Sequence, residues 1–182
     1  MPTIETLATR YEAAPDWNTY LNATVKNHDL WTAVDRHVEL TPQVIDRARK
    51  VTSLAGIRHV LILSEDWCGD AVNIVPWVAR LVERLPEVDL RVFGRDANPD
   101  LMNSHLTGSS QSVPVVLLLD AGFRELGWWG PRPTALQTWV IEEGLALPKE
   151  ERYLEVRKWY ARDKGQSILG ELIGLMETAA TA

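Results

Sequence analysis

The residue with the clearest chemical potential is Cys68, the single cysteine among 182 residues. It directly follows an apolar run rich in β-branched residues, 58–64, and directly precedes a segment with helical spacing, 71–85. The first turn of a helix presents unpaired N–H groups and the positive end of the helix dipole, which favour an anion. A thiol placed there can have its pKa lowered from ~8.5 toward ~3.5–7.5. This placement favours a reactive thiol over the alternative, an inert cysteine packed as a small apolar residue.

Several charged or metal-ligating side chains lie close to this thiol in sequence. Glu65, Asp66 and Asp70 are carboxylates that would raise its pKa by like-charge repulsion, so the sign of the net shift stays open. The same carboxylates could form an acid/base cluster or a cation site, but no histidine is spaced to join them locally. His59 and His105 are more simply explained as surface or internally satisfied histidines than as metal ligands. We therefore predict no metal and no cofactor.

The hydrophobic pattern predicts the elements that hold the thiol. From residue 58 onward the order is strand, helix, strand, helix, strand, strand, helix, which predicts an α/β sandwich with helices on both faces of a mixed sheet. The run 58–64 is apolar on both faces and is expected to be a central strand. The predicted strands are 58–64, 89–94, 115–120 and 123–129, and the predicted helices are 71–85, 100–106 and 134–143.

Helical segments flank this unit on both sides. In the N-terminal extension, 1–55, Thr41 and Pro42 predict the start of a helix over 43–54. Its expected core-facing residues are Val44, Ile45, Ala48, Val51 and Leu54. The α/β domain is expected over 56–147. A C-terminal segment, 148–182, is expected to form two helices that pack on the same domain, with a break at Gly165.

Composition narrows the possible partners and compartment. The formal net charge is −6, which argues against nucleic acid or an anionic membrane as the main partner. No apolar run approaches the ~20 residues needed to span a bilayer. Residues 1–20 contain no apolar stretch typical of a signal peptide. One cysteine allows no internal disulfide, and a soluble cytoplasmic protein is the expectation.

Five short segments, taken together, resemble thioredoxins. Trp-Cys-Gly-Asp-Ala at 67–71 is similar to the family's Trp-Cys-Gly-Pro-Cys, and Val-Pro at 113–114 resembles its cis-proline dipeptide. Gly122 and Gly130 resemble the family's hairpin and groove glycines, and Asp-Ala-Asn-Pro at 96–99 resembles its Asp-x-Asn-Pro segment. The segments 65–70 and 129–133 are also similar to a poorly characterised bacterial group of thioredoxin-like proteins. The resemblance covers about 58–144 and implies a thioredoxin-like three-layer sandwich, but no substrate.

Two departures from the family pattern limit the chemistry that the resemblance implies. The second motif cysteine is replaced by Ala71, so the thiol has no partner within the chain and a dithiol cycle cannot run. The buried acid that thioredoxins place six residues before the first cysteine is replaced by Ile62. That acid is thought to help deprotonate the second cysteine, so the two losses are consistent with each other.

The resemblance therefore implies a monothiol thiol-disulfide oxidoreductase with Cys68 as its catalytic residue. Its partner would be a protein disulfide or a low-molecular-weight thiol, and an external thiol would resolve the mixed disulfide. The implied substrate groove consists of Trp67, Gly69, Asp70, Val113, Pro114, Trp129, Gly130 and Arg132.

Alternatives remain open at this stage. The guanidinium of Arg132 could bind a ligand carboxylate near the thiol, or it could be a solvated loop arginine. The same fold could serve as a non-redox module that binds a peptide or protein in the groove. A third possibility is an iron–sulfur cluster bound by a dimer together with an external thiol. The oligomeric state is not indicated by the sequence.

Overall fold

The computed structural model describes residues 6–182. The first five residues of the predicted N-terminal extension lie outside the described residues. The described residues form four strands, β1 (Ile57–Ser64), β2 (Asp89–Gly94), β3 (Val115–Asp120) and β4 (Glu125–Trp129). They also form nine helices, α1 (Leu7–Ala13), α2 (Trp17–Ala23), α3 (His28–Arg36), α4 (Pro42–Ala55), α5 (Gly69–Val82), α6 (Pro99–Asn103), α7 (Thr134–Glu142), α8 (Lys149–Asp163) and α9 (Gln166–Thr181), with a 3₁₀ turn at Gly144–Ala146.

The sheet is mixed and has the order β2-β1-β3-β4. β1 pairs parallel with β2 and antiparallel with β3, and β3 pairs antiparallel with β4. Ile62 of β1 lies between Val92 and Val116 of its two neighbours and is fully buried. A strand covered on both faces must be apolar on both faces, so the predicted central position of 58–64 is confirmed.

The predicted bounds of β4, α5 and α6 were wrong by up to three residues, and α6 ends at Asn103 rather than at 106. β4 begins at Glu125 rather than at 123, because Phe123 has a positive φ of 62° and belongs to the turn after β3. The Asp120 carboxylate holds this turn by accepting from the N–H groups of Gly122 and Arg124. α5 spans Gly69–Val82 rather than 71–85, and the chain then leaves the helix through short turns.

The helix α4 was predicted correctly at both ends but not on its whole buried face. Thr41 accepts from the N–H of Val44, and Gly56 ends the helix in the left-handed region. Leu54, however, is 67% exposed. Each step of three residues turns a helix about 60° short of a full circle, so the row that begins at the buried Ile45 has rotated to the opposite side by Leu54.

The C-terminal helices pack on α5, the helix that follows the cysteine. α8 and α9 both contact α5, and α9 also contacts α4 and β4. The predicted break falls at Gly165, which has a φ of 72° and begins α9. A Cβ at Gly165 would collide with the indole ring of Trp77 in α5, so the glycine allows the α8–α9 turn to lie directly on that helix.

Among residues 6–182, no helix is both long enough and apolar enough to span a bilayer.

Candidate functional site

Cys68 lies where the sequence predicts, between the end of β1 and the first turn of α5. It is the N-cap residue of α5, and its Sγ accepts a hydrogen bond from the N–H of Ala71 at 3.5 Å. The thiol donates to the carbonyl oxygen of Val113 at 3.3 Å. The residue is only 8% exposed. The sulfur is therefore held between a helix N-terminus and the loop before β3.

The loop before β3 and the end of β4 approach each other closely behind the sulfur. The Val113–Pro114 peptide bond is cis, as the resemblance implied, and so is Gly130–Pro131. Gly130 has a φ of 140°, and a Cβ there would collide with the carbonyl oxygen of Pro114. Only glycine allows this approach, so Gly130 has a packing role beside the site.

A largely buried ion pair lies next to the thiol. Arg132 donates to Asp70 through two nitrogens, at 2.9 Å to Oδ1 and 2.7 Å to Oδ2. The hydroxyl of Tyr160 in α8 also donates to Asp70 Oδ1, at 2.8 Å. The Arg132 guanidinium further donates to the side chain of Gln137. Arg132 is therefore neither a solvated loop arginine nor free for a ligand carboxylate, because Asp70 already occupies it.

The structure resolves the sign of the cysteine pKa shift that the sequence left open. Burial and, next, the negative charge of Asp70 raise the pKa of the Cys68 thiol above its usual value. Backbone N–H groups of the first helical turn and the positive charge of Arg132 oppose this rise without cancelling it. Burial, together with Asp70, also holds the pKa of Tyr160 well above its usual range. The N-terminus of a helix commonly lowers the pKa of a thiol, but Cys68, at the N-terminus of α5, favours its protonated form.

The other two carboxylates near the motif serve as loop anchors. Asp66 accepts from the N–H groups of Val25 and Lys26, both at 2.9 Å. Glu65 accepts from the N–H of Asp96 at 3.2 Å. Each is therefore held by backbone groups from a distant part of the chain. The acid/base cluster considered from the sequence is not assembled.

The two histidines considered as metal ligands have other partners. His59 bonds to Asp89 and stacks on Phe123, and His105 bonds to Glu125. Within residues 6–182, no three side chains of His, Cys, Asp or Glu converge in a way that could hold a metal ion.

A pocket of about 630 Å³ opens beside the cysteine. Six of the predicted site residues line it, namely Trp67, Cys68, Gly69, Asp70, Val113 and Arg132. The other three, Pro114, Trp129 and Gly130, are not among its lining residues in the described part of the chain. The indole N–H of Trp129 instead donates to Glu171 of α9 at 2.9 Å. Trp129 therefore ties β4 to a helix, and Gly130 acts through backbone packing.

Sequence reasoning missed one wall of this pocket. It is formed by Arg152, Tyr153, Val156 and Arg157 of α8, and we call these four residues the α8 wall. They form two adjacent pairs four residues apart, a spacing that places all of them on one side of a helix. The spacing is visible in the sequence, but nothing in it indicates that this side meets the cysteine. Arg95, at the end of β2, also lines the pocket and was likewise missed.

The assembled site can bind a small molecule or an extended segment against a protected sulfur. Its volume lies within the usual range for small-molecule pockets, ~300–1,000 Å³. The sulfur can act as a nucleophile only after losing the proton that it shares with Val113.

Comparisons with known proteins agree with this architecture. A crystal structure of a protein of unknown function from Pseudomonas aeruginosa superimposes with a TM-score of 0.72 at 17% identity, covering 96% of this chain and 98% of the other. A crystal structure of an HIV epitope scaffold gives a TM-score of 0.70 at 16% identity, covering 95% and 98%. At such identities the likeness shows the fold alone. No curated protein matches the sequence.

The sequence itself matches a family model. The model is described as thioredoxin, and it matches residues 14–152, which is most of the chain. The match includes the cysteine, the Val-Pro dipeptide and the two glycines that resemble those of thioredoxins. The chain belongs to the thioredoxin family.

Proposed function

We propose that this protein is a monothiol thiol-disulfide oxidoreductase that acts through Cys68. The observation that carries the proposal is the position of the sulfur, which lines the pocket while capping α5 and contacting the carbonyl of Val113. A helix N-terminus supplies N–H groups to a thiolate. A pocket beside the sulfur supplies space for a disulfide-bearing ligand.

The reaction is an exchange in which no net oxidation occurs. The thiol of Cys68 loses its proton to solvent, and the thiolate attacks one sulfur of a disulfide R–S–S–R′. A bond forms between Cys68 Sγ and the sulfur of R, the S–S bond breaks, and R′–S⁻ leaves and takes up a proton. An external thiol, R″–SH, then attacks the sulfur of R as its thiolate. This step forms R–S–S–R″ and releases Cys68 as the thiolate.

The external thiol is required because the chain holds no second cysteine. Ala71 occupies the position of the resolving cysteine and is fully buried. Its N–H still donates to the sulfur. The first helical turn thus keeps the contact that stabilises a thiolate while lacking the group that would resolve a mixed disulfide.

The test is to measure formation and release of the mixed disulfide by mass spectrometry of the intact protein. A low-molecular-weight disulfide should add one R–S group to the wild-type chain, and added thiol should remove it. Cys68→Ser should take up nothing. Ser112→Ala is the matched control, since Ser112 lines the same pocket without a thiol, and it should behave as the wild type. If no adduct forms at any pH at which the protein stays folded, including alkaline pH where the thiolate fraction is largest, the exchange function is refuted.

A second candidate function is a non-redox binding module that uses the same pocket for a peptide or protein partner. The observation that favours it is the protection of the thiol, which is 8% exposed and whose pKa is raised by burial and by Asp70. In this case Cys68→Ser would bind its partner as tightly as the wild type. The exchange function instead requires that this substitution abolish covalent capture.

A further inference from the structure

The charge of the pocket is opposite to that of the protein as a whole. The chain carries a formal net charge of −6. Among the described residues that line the pocket, four are arginines and one is a carboxylate, Asp70. Asp70 is already paired through two hydrogen bonds with Arg132. The arginines left to face a ligand are Arg95, Arg152 and Arg157.

Two of these arginines, Arg152 and Arg157, differ from Arg132 in their ion pairing. Within residues 6–182, neither Arg152 nor Arg157 makes an ion pair with an acidic side chain. Acidic residues lie on the same helix, but one of them, Glu155, pairs with Lys158 instead. Arg95 does contact the Asp96 carboxylate, at 2.8 Å, and donates to the carbonyl of Gln111. The positive charge is therefore least compensated along the α8 wall.

Aromatic rings lie beside two of the three guanidinium groups, those of Arg95 and Arg152. The Arg95 guanidinium lies over the Trp67 ring, 5.0 Å from its centroid. The Arg152 guanidinium lies 5.7 Å from the centroid of the Tyr153 ring. Both rings line the pocket and are about half exposed, at 49% for Trp67 and 51% for Tyr153. A large exposed aromatic beside a guanidinium offers a ligand an apolar surface next to a fixed positive charge.

We infer that the pocket selects a small thiol or disulfide that carries carboxylates, with Arg152 and Arg157 binding the negative charge and Cys68 meeting the sulfur. This inference deepens the proposed function and depends on it for the sulfur of the ligand. Arginine binds carboxylates through two parallel hydrogen bonds. The acidic remainder of the protein repels such an anion, so its local concentration rises only where the arginines lie.

The selection can be measured by comparing two aromatic disulfide reagents. Dithiobis(nitrobenzoate) carries a carboxylate on each half, whereas dithiodipyridine is neutral, and each releases a coloured thiol when Cys68 attacks it. The rate of Cys68 with the charged reagent is divided by its rate with the neutral reagent. This ratio is then divided by the same ratio for an uncharged small thiol, which corrects for the different intrinsic reactivities of the two reagents. We expect the corrected ratio to favour the charged reagent at low salt. We also expect this preference to weaken with added salt.

Variants of Arg152 and Arg157 test whether these two residues bind the carboxylates of the ligand. Arg152→Gln and Arg157→Gln should each lower the corrected ratio about fivefold, the effect of one unit charge near a ligand in water. The rate with the neutral reagent, which offers no carboxylate to an arginine, should change less than the rate with the charged reagent. Arg162→Gln is the matched control because Arg162 is an exposed arginine of the same helix that does not line the pocket. A corrected ratio of one in the wild type, or equal losses in all three variants, would overturn the inference.

A second arm separates this inference from the exchange function. In the Cys68→Ser background, citrate provides a tricarboxylate without sulfur, and binding to the folded state raises the melting temperature. We expect a larger rise in that protein than in the same background with Arg152→Gln and Arg157→Gln, at equal ionic strength. If the wild-type Cys68 reacts with neither reagent, but citrate raises the melting temperature more in the protein that keeps both arginines, the exchange function fails and the anion site stands. If citrate stabilises both proteins equally, the anion site fails.

Discussion

The two sides of the pocket use charge in opposite ways. On the inner side, beside the thiol, Asp70, Arg132 and Tyr160 satisfy one another and are largely buried. On the outer side, the α8 wall presents two arginines that no described carboxylate pairs. Charges that are already paired cannot bind a ligand strongly, whereas unpaired charges at a pocket can. The inner side therefore sets the state of the sulfur, and the outer side is the part available for recognition.

The largest effect is expected from removing the positive charge of Arg132 on the inner side of the pocket. Arg132→Met should destabilise the protein by about 3–5 kcal/mol, because it leaves the Asp70 carboxylate buried with its charge uncompensated. The Asp70 side chain is only 12% exposed. Urea unfolding measures the change. Adding Asp70→Asn to this variant should recover part of the loss, since no uncompensated charge then remains. A loss below about 1 kcal/mol would mean that the pair behaves as a surface ion pair.

The next effect is the dependence of stability on pH. The folded pKa of Cys68 lies above its unfolded value, so the folded state keeps a proton that the unfolded state releases. The stability linked to this group is complete below the unfolded pKa of ~8.5 and is lost as pH rises through the folded pKa, with a slope of at most about 1.4 kcal/mol per pH unit. Denaturant unfolding between about pH 7 and 10 should show this fall in the wild type.

Cys68→Ser is the control for this prediction, and its stability should fall less over the same range. The tyrosines contribute separately at higher pH. The pKa of Tyr160 is also raised by burial, so its linked loss begins only above the usual tyrosine pKa of ~10. Identical slopes for the two proteins below that point would contradict a raised thiol pKa.

A smaller effect is expected on the reactivity of the Cys68 thiol when the negative charge of Asp70 is removed. Asp70→Asn should lower the pKa of Cys68, because the negative charge that raises it is removed and the Arg132 charge becomes unopposed. For each unit by which the pKa falls, the thiolate fraction at neutral pH rises about tenfold. The nucleophilicity of each thiolate falls about threefold, for a net gain of about threefold. The alkylation rate measured against pH tests this, and a slower rate at neutral pH would refute it.

The smallest effect is expected on the outer side. Arg157→Gln should change the free energy of unfolding by no more than about 0.5 kcal/mol, because Arg157 is exposed and no described side chain depends on its charge. Urea unfolding beside Arg132→Met gives the comparison directly. A loss similar to that of the inner arginine would show that the α8 wall has a structural role rather than one in recognition.

Local signals in the sequence were sufficient for the elements that hold the sulfur. The apolar run of β1, the cysteine at its end and the helical spacing after it predict a capped sulfur, because each depends only on neighbouring residues. The same is true of α4, whose cap and terminating glycine lie within the segment. The prediction that Leu54 faces the core was wrong because residues spaced three apart rotate steadily around the helix. Leu54 is the last residue of that series and lies on the exposed side.

The parts that could not be predicted depend on contacts between distant segments. Glu65 and Asp66 have the same local sequence whether they surround the thiol or hold loops, and only the fold shows that they bind backbone groups of residues 25, 26 and 96. The partnership of Arg132 with Asp70 requires the loop before α7 to reach α5, and the position of the α8 wall requires α8 to pack on α5. Helical periodicity shows which residues share one face of a helix, but it does not show which other element that face contacts.

The hydrogen bond from Tyr160 to Asp70 joins the last part of the chain to the helix that carries the thiol. Residues from Lys149 onward therefore supply both a partner for the inner carboxylate and the arginines of the outer side. Within residues 6–182, no side-chain hydrogen bond or ion pair joins Arg152 or Arg157 to the sheet or to α5. Exchanging Arg152 and Arg157 for other residues could thus redirect the ligand preference while the thiol and its cap stay the same, which makes this helix a natural starting point for redesigning specificity.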